Sequence, residues 1–176
     1  MSDTEADCLT VGPASLCNGL VSVACWQGQL EAHCAGLCDK LDGRIPEDGR
    51  RSTIWRSGYI FRTARDRLLI QSCETNDLES LVRGNLVSGQ AAISDLSHAW
   101  RSIDLSGRLV PDLLSRCLSI DCSESGLPVG CFAQTHLQDA QVLLHRKNGF
   151  SYTLLVQTSF SVAVEAKMRK ITKKII

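Results

Sequence analysis

The stretch Cys131-Phe132-Ala133-Gln134-Thr135-His136-Leu137, continued by Gln141-Val142-Leu143-Leu144-His145-Arg146 and Tyr152-Thr153-Leu154-Leu155-Val156-Gln157, decides the fold of this chain. Only Gln138-Asp139-Ala140 and Lys147-Asn148-Gly149 separate the first two junctions of these alternating runs, so they predict an antiparallel meander. A helix follows from about Ser159 to Lys170.

Working back from the meander, the hydrophobic period switches repeatedly between two and 3.6. Leu20 to Trp26 alternates, with Val21, Val23 and Cys25 on one face, as a strand does. Between Gln29 and Leu41, Leu30, Cys34, Leu37 and Leu41 recur at helical spacing, and Gly43 lies just past their end. The polar run from Asp42 to Thr53 reads as a loop. Two strands, Ile54–Arg62 and Leu68–Cys73, come next. A helix then starts at Asn76 or Asp77, either of which offers a capping oxygen, buries Leu78, Leu81, Val82 and Leu86, and stops at Gly89. Ala91–Leu96 and Ile103–Leu105 read as a strand pair around His98, and Leu109, Leu113, Leu114 and Cys117 as a short helix that tolerates Pro111 in its first turn. Ser119 to Gly130 is an irregular connection.

This order predicts an α+β fold, a two-layer domain of interleaved β-α-β units with a mainly antiparallel sheet and its helices on one face. The chain divides on this reading into a flexible N-terminal segment, 1–18, one domain, 19–171, and a basic tail, 172–176. The 176 residues, 44% hydrophobic and 22% charged, are enough for one core. Nineteen basic residues balance nineteen acidic ones, which removes any overall pull toward nucleic acid or anionic lipid. The cations that do cluster, Lys167, Arg169, Lys170, Lys173 and Lys174, sit where they offset the negative end of the last helix. No window reaches the roughly 18–20 apolar residues of a membrane span. The acidic start, Met1 to Asp7, is unlike a secretory signal, so the expectation is a cytoplasmic protein with its nine cysteines reduced.

Three chemistries were weighed on the residues. His33, Cys34 and Cys38 bring imidazole and thiolate within a helical turn, yet no second cysteine pair completes a zinc set, and Cys34 and Cys38 fit the apolar face. Cys131 or Ser97, with His98, His136 or His145 as base, suggests a nucleophile. Neighbours in a strand point to opposite faces, and no orienting third group is visible; His136 and His145 were expected to approach across a ladder as a structural pair. Dinucleotide binding lacks both the GxGxxG turn and the GxxxxGK[ST] loop. Aromatics at 5% give no stacking platform for nucleic acid.

Several segments, read in order, resemble the gamma subunit family of heterotetrameric sarcosine oxidase: Ile54-Trp55, Leu68-Leu69-Ile70, Asp95-Leu96-Ser97-His98, Ile103-Asp104-Leu105-Ser106-Gly107, Leu113-Leu114-Ser115-Arg116-Cys117, Leu118-Ser119-Ile120-Asp121, Cys131-Phe132-Ala133-Gln134-Thr135, Val142-Leu143-Leu144-His145-Arg146 and Ser159-Phe160. The likeness spans Ile54 to Met168. It departs at Trp55-Arg56-Ser57-Gly58, where the family often has a glycine-rich, proline-containing lead. The resemblance implies a fold like the amino-terminal folate-binding half of aminomethyltransferases. It also implies alpha, beta and delta subunits as partners. FAD, FMN, NAD, zinc and tetrahydrofolate then belong to the complex, which oxidatively demethylates sarcosine or a related N-methyl amino acid. The chain itself would be accessory, without catalytic, metal or redox-cofactor residues of its own. The competing reading is a freestanding folate-binding C1-transfer protein, whose pterin-holding carboxylate would be Asp95 or Asp104. Trp55, Trp100, Phe132 and Phe160 stand near segment ends as partner anchors, with Arg101, Arg146 and the C-terminal lysines as orienting charges.

Overall fold

The computed structural model describes residues 9–26, 29–74, 77–86 and 89–175, in which the chain forms two compact units. One is assembled from the segments up to Leu16 and from Ala99 onward; the other is the continuous stretch Cys17–His98. Every strand pairing in both is antiparallel.

In the discontinuous unit, β1 (Thr10–Val11) and β2 (Ser15–Leu16) pair with β8 (Trp100–Ser106), inside the segment expected to be flexible. The meander is β9 (Phe132–Leu137), β10 (Ala140–Asn148) and β11 (Ser151–Gln157), which completes the sheet order β1-β8-β11-β10-β9. Gln138 turns the first hairpin in a left-handed conformation, φ 54°. The central strands β10 and β11 are buried on both faces, which explains their near-continuous hydrophobic runs. On one face, Val142, Leu144, Tyr152, Leu154 and Val156 form a core with Ile103 and Leu105 and with the helices α3 (Val110–Ser115) and α4 (Thr158–Thr172). Pro111 lies in the first turn of α3 as expected.

The continuous unit has the sheet order β4-β5-β6-β3-β7, built from β3 (Gly19–Cys25), β4 (Ser52–Trp55), β5 (Gly58–Ala64), β6 (Arg67–Ser72) and β7 (Ala91–Asp95). Two helices, α1 (Leu30–Leu41) and α2 (Leu78–Gly84), lay Leu30, Cys34, Leu37, Leu41, Leu78 and Val82 against Val21, Val23, Cys25, Ile60 and Ile70. Asp77 caps α2 by accepting from the Ser80 N–H at 3.1 Å; Asn76 lies outside the described residues. The α1 C-cap in the left-handed region is Asp42, φ 52°, and not the glycine beside it.

Three expectations are corrected. Ile54–Arg62 is not one strand: the chain reverses at Arg56-Ser57, and β4 and β5 form a hairpin. Just after the turn β5 runs so close to β6 that a Cβ on Gly58 would fall 1.9 Å from the Gln71 carbonyl oxygen. β7 and β8 do not pair with each other; β7 joins β3 and β8 joins β11, in different sheets. The second helix ends at Gly84 and not at Gly89, which instead turns the chain at φ 75°.

Candidate functional site

Cys25 and Cys34 bring their sulfurs to 3.9 Å within the core between β3 and α1. Burial raises both thiol pKa values, and for Cys34 the nearby Cys25 adds to the effect. A thiol held in its protonated form is a poor nucleophile. Among the described residues no three His, Cys, Asp or Glu side chains gather as a metal set.

Ser97 serves as a turn. Its hydroxyl donates to Asp95 Oδ1 at 2.6 Å and accepts the Leu20 N–H at 2.9 Å, so it clamps the end of β7 to β3. Hydrogen bonds from the Ser97 side chain and backbone hold the Asp95 carboxyl below its usual range. The hydroxyl's proton is directed at a carboxylate and not at His98. His136 and His145 are not opposite one another: His136 pairs with Gln141 and is exposed, whereas buried His145 faces Phe132 on β9 and Thr153 on β11. That registry is the reason the expected histidine pair does not form.

A polar cluster invisible to motif reading lies on that face of the meander. The Asp104 carboxylate accepts from Lys147 Nζ at 2.8 Å and from the Thr153 hydroxyl at 2.6 Å. Partial desolvation pushes its pKa up, but the Lys147 and Thr153 hydrogen bonds and the Lys147 charge outweigh this and hold it below the usual range. Desolvation, aided by Lys147, pushes the His145 pKa down to about 4 and keeps its imidazole neutral at pH 7. This arrangement offsets the Asp104 charge through Oδ1, as Ser97 does separately for Asp95.

The six anchor candidates separate cleanly. Trp55 is 6% exposed, its indole N–H donating to the Gln71 carbonyl at 3.0 Å, and Phe132 is 3% exposed. Both are packing residues. Arg146 is buried too: it donates to the carbonyls of Leu127 at 3.0 Å and Gly149 at 3.1 Å, pairs with Glu124 at 2.6 Å, and lies over the Tyr152 ring. It staples the irregular 119–130 connection to the β10–β11 turn and is not a rim charge. Trp100 and Arg101 are half-buried on opposite faces of β8, and Arg101 Nη1 is buried without a hydrogen-bond partner among the described residues. Phe160, in the first turn of α4, is 36% exposed. Sequence reasoning missed Val162, 78% exposed on α4; its signal was a valine off the buried stripe of Val164 and Met168.

The fold can now be placed among known ones. Neither family models nor curated proteins give a match to the sequence. Solved structures do match in shape. A chain of heterotetrameric sarcosine oxidase from Corynebacterium sp. U-96, in complex with pyrrole 2-carboxylate, superposes with a TM-score of 0.85 at 18% identity, over 96% of this chain and 86% of that one. Glycine cleavage system aminomethyltransferase T from Bartonella henselae gives 0.65 at 11% identity, over 93% of this chain but 46% of that one. The fold is therefore the mixed α+β, mainly antiparallel architecture of these two proteins. No helix among the described residues is long and apolar enough to cross a membrane.

Proposed function

We propose that this chain is an accessory, gamma-type subunit of a heterotetrameric sarcosine oxidase-type flavoenzyme, in which alpha, beta and delta subunits carry the chemistry on sarcosine or a related N-methyl amino acid. The observation that carries the reading is the superposition, over nearly its whole length, on a chain of such an enzyme. The residues agree with it. Cys25 and Cys34 are buried and held protonated, Ser97 is committed to a turn, and His145 is sealed in a sheet. In the proposed complex FAD, FMN, NAD, zinc and tetrahydrofolate belong to the other subunits, and this chain works in the cytoplasm by supporting assembly.

On this reading the chain holds none of those groups, and among the described residues no metal set gathers. There is no glycine-rich phosphate cradle in the sequence, and the carboxylates Asp95 and Asp104 already hold Ser97, Lys147 and Thr153. That engagement also weighs against a freestanding folate-binding C1-transfer protein, the reading that the aminomethyltransferase likeness would favour. Purifying the chain alone tests both. The expected preparation has no flavin band, no turnover of sarcosine with dye acceptors and no heat of tetrahydrofolate binding. Stoichiometric flavin or measurable turnover refutes the accessory role, and tight folate binding transfers the case to the alternative.

A further inference from the structure

Over the first three turns of α4 the centre of the exposed face lacks charge, which enters only at its edges with Lys167 and Arg169. Ser161, Val164 and Met168 face the sheet and are buried. On the opposite side Ser159, Ala163 and Ala166 recur at spacings of four and three, flanked by Phe160 and Val162, and all are exposed. None carries charge, although a helix with one face in a core ordinarily presents charge on the other. The same line then runs into exposed Lys170 and Lys173, with Lys174 beside them. Among the described residues none of these lysines forms an ion pair. The helix's one carboxylate, Glu165, is engaged: it accepts the Ala14 N–H at 2.8 Å and pairs with Arg169 at 2.9 Å.

We propose that this face of α4 is a docking surface whose occupant is a larger protein partner, apolar where it meets Val162 and Ala166 and bearing carboxylates where it meets the lysines. Charge complementarity selects that occupant. A second copy of α4 would offer the lysines no carboxylate, because Glu165 is taken. A bilayer surface is served by bulky apolar side chains, and this face has valine and alanines with one phenylalanine at its flank. The proposal rests on the accessory-subunit reading and deepens it by naming the face and the chemistry it meets.

The test co-expresses the tagged full chain with the two large flavoprotein subunits, alpha and beta, of the sarcosine oxidase type from the same source, and measures affinity between the purified components. Val162→Glu combined with Ala166→Glu is expected to weaken association by at least about 10-fold. A Lys170→Glu, Lys173→Glu, Lys174→Glu triple variant is expected to weaken it and to flatten its salt dependence. Both variants change exposed positions; the valine-alanine pair keeps the native thermal midpoint, and a Lys170→Gln, Lys173→Gln, Lys174→Gln control separates lost attraction to the partner from the charge reversal at the helix end. Equal binding by wild type and both variants overturns the docking face while leaving the accessory reading standing. Failure of the wild type to bind either flavoprotein overturns both. A dimer of the isolated chain that the valine-alanine variant separates would give the face to a second copy. Binding to phosphatidylcholine–phosphatidylserine vesicles that the same variant loses would give it to a membrane. Either result also overturns the proposal.

Discussion

Arg146 lies over the ring of Tyr152, its guanidinium carbon 5.4 Å from the ring centroid, while the Tyr152 hydroxyl is fully buried with no hydrogen-bond partner among the described residues. The two ends of this contact respond oppositely to mutation. Tyr152→Phe keeps the ring under the cation and removes a desolvated hydroxyl, so it is expected to be neutral or to add about 1 kcal/mol of stability. Arg146→Met leaves the carbonyls of Leu127, Asn148 and Gly149 without their donor while exposed Glu124 returns to solvent, and is expected to cost about 2 kcal/mol. Urea denaturation of the two variants measures both; a Tyr152→Phe loss comparable to that of Arg146→Met would contradict the geometry.

Stability is expected to fall on mild acidification because of His145. Its folded pKa, about 4, lies below its ordinary value of 6.5, so between those values the unfolded chain binds a proton that the folded chain refuses. The loss begins as pH drops below about 6.5 and is complete near pH 4, reaching about 3 kcal/mol. Asp104 acts lower: its depressed folded pKa gives stability that is present above its ordinary 3.8 and lost as pH falls below it. Thermal midpoints of wild type and His145→Leu from pH 7 to pH 4.5 separate the two, since the variant should show a flattened profile in that window.

Gly58→Ala should be among the most damaging small changes in the chain. The added methyl would meet backbone atoms of Gln71 and Ser72, which cannot swing away as a side chain would. A loss of about 3 kcal/mol is expected, with the start of β5 pushed off β6. Unchanged hydrogen exchange in Ser52–Trp55 and Gly58–Ala64 would show that the hairpin tolerates the insertion.

Thiol labelling followed by peptide mass spectrometry is expected to mark exposed Cys73 promptly in the native protein. Buried Cys25 and Cys34 should react only after denaturation, since both are desolvated and un-ionised at neutral pH. Rapid native labelling of Cys34 would mean that α1 opens from β3 far more readily than its packing implies.

The meander and the stripes of α1 and α2 were legible because burial there follows a simple period: Leu30, Cys34, Leu37 and Leu41 are buried by α1, and only His33 joins them from outside the apolar pattern. The β4–β5 turn was not, since Arg56-Ser57 carries no glycine or proline and only Gly58 marked the close approach. β7 and β8 were paired because neighbours in sequence usually pair in space; no local residue reveals that they enter separate sheets. Strands as short as Thr10–Val11 have no period to read. For the candidate site, an aromatic at a segment end carries no sign of its direction, so Trp55 and Phe160 looked alike until the packing around each was known. The Asp104, Lys147 and Thr153 contact joins residues from three strands, and only the registry brings them together.

The sheet that holds β1 and β2 at its edge sets an order on biosynthesis. Cys17–His98 can fold as it leaves the ribosome, because all its partners are already made. Thr10, Val11, Ser15 and Leu16 must wait for Trp100–Ser106, and β8 in turn waits for β11, synthesised another forty-odd residues later by the numbering. During that interval the first-made part of the discontinuous sheet has no mate. The loop it must close is already shortened in effect, since the folded 17–98 stretch stands in for a long flexible chain. Ser151–Gln157 therefore complete the structure that Thr10–Val11 and Ser15–Leu16 began.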